Sequence, residues 1–268
     1  MVSARHPATS LTRIATLFYP FLLSILTSNA FAQPQDCPSD SPFDTQVTVK
    51  QVIDGDTVLL TNGQKLRFAA INAPELAHDN KPAEDGAEQA RQALLNWLPT
   101  DSILQLRFDQ QKYDHYQRLL AHPFLADGRN LQAMMLEQGL AAHIVEPPSL
   151  WAQNCYAHLE LLAQRQTKGM WGSERFASIA ASQLSSRTHG FYRVHGRVEK
   201  VWSTNRTTWL KLSDKLTLRI EKQDLKYFKH FSPEALRSHQ VEVKGWIFPY
   251  LDGLNIRIQH PGALRILD

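Results

Sequence analysis

Two apolar runs joined by Asn62-Gly63 constrain this chain more than any other stretch. Residues 57–60 and 66–71 are apolar and partly β-branched, and an Asn-Gly pair between such runs is the turn chemistry of an antiparallel hairpin. The hairpin folds the turn Asp54-Gly55-Asp56-Thr57 back toward Asn72-Ala73-Pro74-Glu75. Strand side chains alternate, so Arg67 shares one face with Ala69 and Ile71 while Leu66, Phe68 and Ala70 take the other. An arginine among apolar neighbours needs a carboxylate, and Asp54 and Asp56 are the near candidates. On these residues alone a structural ion pair explains Arg67 as well as a chemical role does. Pro74 holds Ala73 extended, so the strand ends there and Glu75 opens a loop.

Further strands are expected at 46–53, 103–108 and from Arg118 onward. Helices are expected from Ala87 to a stop at Pro99, from an Asn130 cap to Gly139, and over 150–168. The stretch 76–85 reads as a polar, mobile loop. Residues 173–190 are rich in Ala and Ser without a sustained apolar period and read as a linker between two globular parts. Beyond it, strand-like runs at 192–201, 208–212, 216–220, 241–247 and 254–258, with a helix around 233–237, fit a small closed barrel of the OB type.

At the start, Arg5 and Arg13 precede an apolar run over 14–26, and Ala30-Phe31-Ala32 has the small-x-small pattern of a cleavage site. The sequence thus predicts a signal peptide over 1–32, a mature chain from Gln33, a periplasmic or secreted product, and no stable membrane insertion. Cys37 and Cys155 permit one disulfide in an oxidising compartment, with two unlinked thiols as the alternative. Neither has the spacing of a zinc or redox site, and the 11 histidines are scattered. Charge is uneven: residues 33–187 hold 13 Lys and Arg against 18 Asp and Glu, a net of −5, whereas residues 188–268 hold 14 against 8, a net of +6. The basic part is the one expected to meet polyanions, and Trp202, Trp209, Tyr227 and Trp246 intersperse its charges. Packing of those aromatics in the barrel core accounts for them equally well.

Taken together, Asp54-Gly55-Asp56-Thr57, Arg67 followed by Asn72-Ala73-Pro74-Glu75, and Asp114-His115-Tyr116-Gln117-Arg118 resemble the staphylococcal nuclease (thermonuclease-like) family over residues 48–172. The resemblance implies a five-stranded OB-type barrel with three helices for the nuclease part, 33–172; with the linker and the second, basic OB-like β-barrel read from the strand runs at 191–268, the expected fold is α+β. It implies cleavage of DNA and RNA, commonly with Ca²⁺, leaving 3′-phosphate ends. Carried over by motif, Glu75 matches a general base, Arg67 and Arg118 match two phosphate-binding arginines, and Tyr116 a substrate-binding tyrosine. Asp56, Asn72 and the Ala73 carbonyl match the metal ligands, with Asp54 behind them. The types suit the chemistry: guanidiniums bind phosphate oxygens bidentately and stabilise the added charge of a pentacoordinate transition state, while a carboxylate orients water. Asn72 stands where the family usually has aspartate, which keeps an oxygen donor but removes a charge, so Ca²⁺ affinity should fall. A weak or inactive nucleic-acid- or envelope-binding protein is the rival reading. The sequence names no protein partner.

Overall fold

The computed structural model describes residues 1–3, 37, 42–78, 81–229, 232–251 and 253–268. Beyond residue 3, the leader expected over 1–32 lies outside the described residues. Strands β1 (Thr45–Val52), β2 (Thr57–Leu60) and β3 (Lys65–Phe68) form a meander. The β2–β3 hairpin pairs Thr57 with Arg67 and Val58 with Leu66. Gly63 supplies the turn with a φ of 84°, a conformation that costs glycine little. The run read as one strand over 65–71 is broken, because Ala70 takes a φ of 62°. That residue re-aims the chain, and Ile71–Asn72 becomes a separate strand, β4.

Helix α1 (Ala87–Trp97) follows, then β5 (Ile103–Arg107), β6 (Leu119–Phe124), α2 (Leu131–Glu137), β7 (Ala142–His143) and α3 (Gln153–Arg165). The five strands close as β1-β2-β3-β6-β5, and β4 pairs with β7 outside the ring. Strands β3 and β6 run parallel. Alternation sends Val58, Leu60, Leu66, Phe68, Leu104, Leu106 and Ala121 inward, all buried. Helix α2 is capped as its sequence suggests, the Asn130 side chain accepting from the Ala133 amide at 3.0 Å. Cys37 and Cys155 form a disulfide with a Cα–Cα distance of 5.4 Å, tying the lead-in to α3 across 118 residues.

The expected linker packs instead of spanning. Turns of 3₁₀ helix at Glu174–Phe176 and Ala181–Gln183 flank β8 (Ile179–Ala180). Phe176 joins a buried cluster with Ala142, Ala163, Met170, Trp171 and Phe191, and burying each large ring favours docking by roughly 1.5–3 kcal/mol. Ala/Ser-rich composition conceals such single anchors. Asp36–Asp268 accordingly makes one compact unit.

Strands β9 (Gly190–Arg197), β10 (Lys200–Ser203), β11 (Thr207–Lys211), β12 (Leu216–Glu221), β13 (Gln240–Tyr250), β14 (Gly253–Arg257) and β15 (Leu264–Ile266) build the second sheet. Its path runs β10-β11-β12-β14-β13-β9, with β8 beside β9 and β15 beside β13. Its two ends are one bent run of chain. Between β9 and β10, the Val198 amide donates to His239 O at 2.9 Å and the Glu199 amide to Lys211 O at 2.8 Å. The run therefore bridges from β13 to β11, and the sheet closes on itself. Strands β12 and β14 are parallel, so the strand order and the parallel pair of the first barrel recur. Val194, Leu210, Leu218, Ile220, Val241, Val243 and Ile256 fill this second core. The helix expected at 233–237 is a 3₁₀ turn, Pro233–Leu236.

Candidate active site

The turn before β2 is fixed by close approach. A Cβ on Gly55 would lie 2.6 Å from the Ala73 Cβ and 2.7 Å from the Ala90 Cβ, so only glycine lets this turn lie against α1 and the Asn72–Ala73 segment. The Asp56 amide donates to the Asp54 carboxylate at 2.9 Å. Buried Asp56 pairs with Arg67 at 2.5 Å, accepts from the Ala73 amide at 2.7 Å and from the Thr57 hydroxyl at 3.0 Å. A second Arg67 nitrogen donates to the Asn72 side-chain oxygen at 3.3 Å. Asp56 and Asn72 thus converge on Arg67, and Asp54 and Ala73 are bonded to Asp56. The structural ion pair allowed by the sequence is present, between Asp56 and Arg67.

Arg118 reaches the same face by register. Arg67 lies beside Leu120 in the parallel pairing of β3 with β6; Arg118 precedes Leu120 by two residues, so its side chain takes the same side as Arg67. Asp114 holds it, accepting from the Arg118 Nε at 2.6 Å and from the Arg118 and Tyr116 amides at 2.9 Å each. Burial works to raise the Asp114 pKa, but these bonds outweigh it and hold the carboxyl below its ordinary value. Tyr116 is 71% exposed, and the Arg118 guanidinium lies 5.5 Å from its ring centre. Asp114 was present in the motif, four residues before Arg118, but its role as the arginine's anchor was not read there.

Glu75 sits on the loop as expected. Burial of its carboxyl and the charge of Asp54 raise its pKa against the pull of Arg67. Burial likewise pushes Asp56 up to about 7, with Asp54 and Glu75 adding to it and Arg67 opposing. Three carboxylates therefore crowd one arginine, a local excess of negative charge. Among the described residues no three His, Cys, Asp or Glu side chains converge to hold a metal ion. The Asp56 oxygens turn to Arg67, Thr57 and Ala73.

Arg67, Asn72, Glu75, Tyr116 and Arg118 line one cleft of about 780 Å³. Asp54, Asp56 and Ala73 lie behind its wall. Glu146 also lines it, its pKa raised by burial. The opposite wall comes from the second barrel, through Trp246, Phe248, Arg257 and Gln259. Sequence reasoning missed that wall, since no local motif ties β13 or β14 to the first barrel.

The loop carrying Glu75 is pinned rather than mobile at its described ends. The Glu75 amide donates to the Glu84 carboxylate at 3.1 Å, and the Glu84 amide donates back to Glu75 O at 2.8 Å. Arg175 then grips Glu84 at 2.8 Å, and the Ser173 hydroxyl donates to Asp85.

Residues 65–173 match the family described as staphylococcal nuclease homologue. Over 110 residues the chain is 36% identical to endonuclease YncB of Bacillus subtilis (strain 168), covering 38% of this chain and 50% of that protein. It is 27% identical over 143 residues to a thermonuclease of Staphylococcus intermedius, covering 49% of this chain and 84% of the relative. A thermonuclease of Staphylococcus hyicus is 28% identical over 129 residues, with 47% and 75% covered. The chain thus spans only half the length of the Bacillus relative. With the barrel and the two arginines in one cleft, these matches make residues 65–173 similar to the staphylococcal nuclease homologues.

Proposed function

We propose that this protein is an exported, sugar-nonspecific nuclease that hydrolyses phosphodiester bonds in DNA and RNA and leaves 3′-phosphate ends. The observation that carries this reading is the placement of Arg67 and Arg118 on one face of the parallel β3–β6 pair, in one cleft with Glu75. Two guanidiniums there bind the phosphate oxygens and stabilise the charge that builds as water adds. Glu75, its pKa raised by burial and by Asp54, is a stronger base than an ordinary carboxylate and is suited to take the proton from that water. The disulfide between Cys37 and Cys155 supports folding in an oxidising compartment. On this reading the chain comprises a removed leader at 1–32, a nuclease domain at 33–172, a packed connector at 173–190 and a basic domain at 191–268.

The donor types, carboxylate and amide oxygens, suit a hard cation such as Ca²⁺, and Asp54, Asp56 and Glu75 outnumber Arg67, the cation that meets the Asp56 and Asn72 oxygens. Asp56, the Asn72 side chain and the Ala73 carbonyl would hold it, with Asp54 behind. Bound there, the ion would supply positive charge to the phosphate. Asn72 also favours the rival reading of a binding protein with little turnover.

Cleavage of single-stranded DNA and RNA by purified protein, with and without Ca²⁺ and with the product ends mapped, decides between the two. Glu75→Gln and Arg118→Ala should each lower turnover by at least about 100-fold, the scale of losing acid–base or oxyanion stabilisation, with the fold retained. Turnover unchanged in either variant removes that residue from the mechanism. No cleavage by wild-type protein leaves the binding reading.

A further inference from the structure

The second barrel turns one continuous row of side chains outward. Its pairings align Trp202 with Trp209, Trp209 with Arg219, and Arg219 with Arg257. Ile247 pairs with Ile256 in the antiparallel β13–β14 ladder, and one further step of that register sets Trp246 opposite Arg257. The row crosses every strand from β10 to β13, and at roughly 4.8 Å per strand it extends about 19 Å. The core of the second barrel is filled by the intervening Leu210, Leu218 and Ile256; of the row, only Trp246 packs into a buried cluster, edge-on to Phe191 at 5.2 Å.

The row begins at the catalytic cleft. Trp246 and Arg257 line that cleft together with Arg67 and Arg118. A second depression of about 490 Å³ shares these two residues and adds Arg219 and Lys244. At the far end the Trp202 and Trp209 rings lie nearly parallel, 14° apart with centres 6.2 Å from each other. Phe248 is 53% and Trp202 37% exposed; Lys200 Nζ lies 5.6 Å from the Trp202 ring centre, and Tyr250 lies 5.5 Å from Trp209 on the row's outer face. Arg219 and Arg257 keep acidic partners, Glu221 at 3.5 Å and Asp224 at 3.1 Å. The surrounding part of the chain, residues 188–268, still carries a net +6.

We infer that this row is a track for single-stranded nucleic acid leading out of the catalytic cleft. Arg257 and Arg219 meet successive phosphates, and Trp202, backed by Trp209, stacks on a base. Flat rings beside guanidiniums suit a strand whose bases are unstacked and reachable; a duplex hides its base faces from such a row. The inference rests on the proposed nuclease reading for the direction of the track, while the binding claim can be tested without turnover.

The test is fluorescence anisotropy of the full chain with a labelled 12-nucleotide single strand, a dinucleotide and a 12-base-pair duplex, at low and high salt. Trp202→Ala should weaken binding of the 12-nucleotide strand roughly 10-fold, the scale of one lost stacked base, and affect the duplex far less. Arg219→Gln should lower the salt slope by about 0.7, as expected for one single-strand phosphate contact. Phe248→Ala is the second variant should Trp202→Ala fail to fold. A change under twofold for the single strand, or an equal loss for the duplex, overturns the track. Cleavage that proceeds with no dependence on the row refutes the track and spares the nuclease reading. Row-dependent binding without cleavage does the reverse.

Discussion

Arg175 offers a test of whether the second half of the chain supports the chemistry of the first. It does not line the cleft, yet it grips the carboxylate that holds the Glu75 backbone. Arg175→Met keeps most of the stem and removes the guanidinium. The bond to Glu84 is charge-assisted, but both side chains are about a quarter exposed; that places it near the lower end of the usual range, about 1.5 kcal/mol. The bond to Phe191 O at 3.1 Å adds about 1 kcal/mol. The stacking over Tyr192 at 4.4 Å adds about 0.5 kcal/mol. A total near 3 kcal/mol corresponds to a fall in Tm of roughly 6–12 °C for a chain of this size.

The catalytic effect is separable from this loss. Freed from Arg175, Glu84 no longer has a fixed position from which to hold the Glu75 amide, and a displacement of about 1 Å at a catalytic group costs on the order of 100-fold. At a temperature where the variant is folded, kcat should fall about 10- to 100-fold with KM changed less than about threefold. Glu84→Gln should behave alike, and the double variant should be no worse than the poorer single one, because both break one chain of contacts. Steady-state kinetics, with subtilisin cleavage within 76–85 as an independent readout of loop order, supply the check. An intact kcat in a destabilised Arg175→Met, or additive losses in the double variant, would refute the positioning argument.

Asn72→Asp restores a charge to the oxygen cluster and should tighten Ca²⁺ roughly 10-fold in calorimetric titration; unchanged affinity would take residue 72 out of the metal shell. Cys155→Ser should cost about 2–5 kcal/mol, read as a lower denaturant midpoint, and the unreduced wild type should show no free thiol. His143 is buried, and burial, reinforced by the charge of Lys244, holds its pKa well below 6.5. The unfolded state therefore binds the proton more readily, so this contribution to stability is complete above about pH 6.5 and is lost as pH falls below it. Buried His122 has the same sign, whereas Asp56, raised to about 7, has the opposite one. Urea melts from pH 7.5 to 5 should show a flatter profile for His143→Gln than for wild type, and equal slopes would count against the assignment.

Much of the site was legible because its residues are close in sequence. Asn62-Gly63 sets the hairpin, the hairpin brings Asp56 to Arg67, and Pro74 leaves Glu75 on a loop. Arg118 was legible by motif, while its alignment with Arg67 depended on which strands pair. What escaped was long-range. Nothing near Glu84 signals Arg175, 91 residues away, nor does any local pattern join Glu160 to Lys244, a buried ion pair between α3 and β13. Ala70 was read as continuing a strand because alanine gives no warning of a positive φ. Among the aromatics of the basic part, alternation fixes that neighbours in a strand face opposite sides without saying which side is out. The structure sends Trp202 and Trp209 outward, packs Trp246 against the Phe191 cluster and packs Tyr227 against the second core.

The recurrence of one topology sharpens the division of labour between the barrels. In the first, the parallel β3–β6 pair sets Arg67 and Arg118 on one face. In the second, the corresponding parallel pair, β12 and β14, sets Arg219 beside Arg257. The two barrels differ in the course of the chain beyond the strand. After β3 the positive φ at Ala70 and the break at Pro74 swing Glu75 into the cleft with the arginines. After β12 the chain enters a 3₁₀ turn, Lys222–Tyr227, whose Asp224 is buried and bonded to Arg257. A carboxylate consumed in that ion pair has no freedom to take a proton from water. On the proposed reading, the second barrel holds phosphate while its nearby carboxylates, Asp224 and Glu221, are paired to Arg257 and Arg219, and cleavage falls to the first.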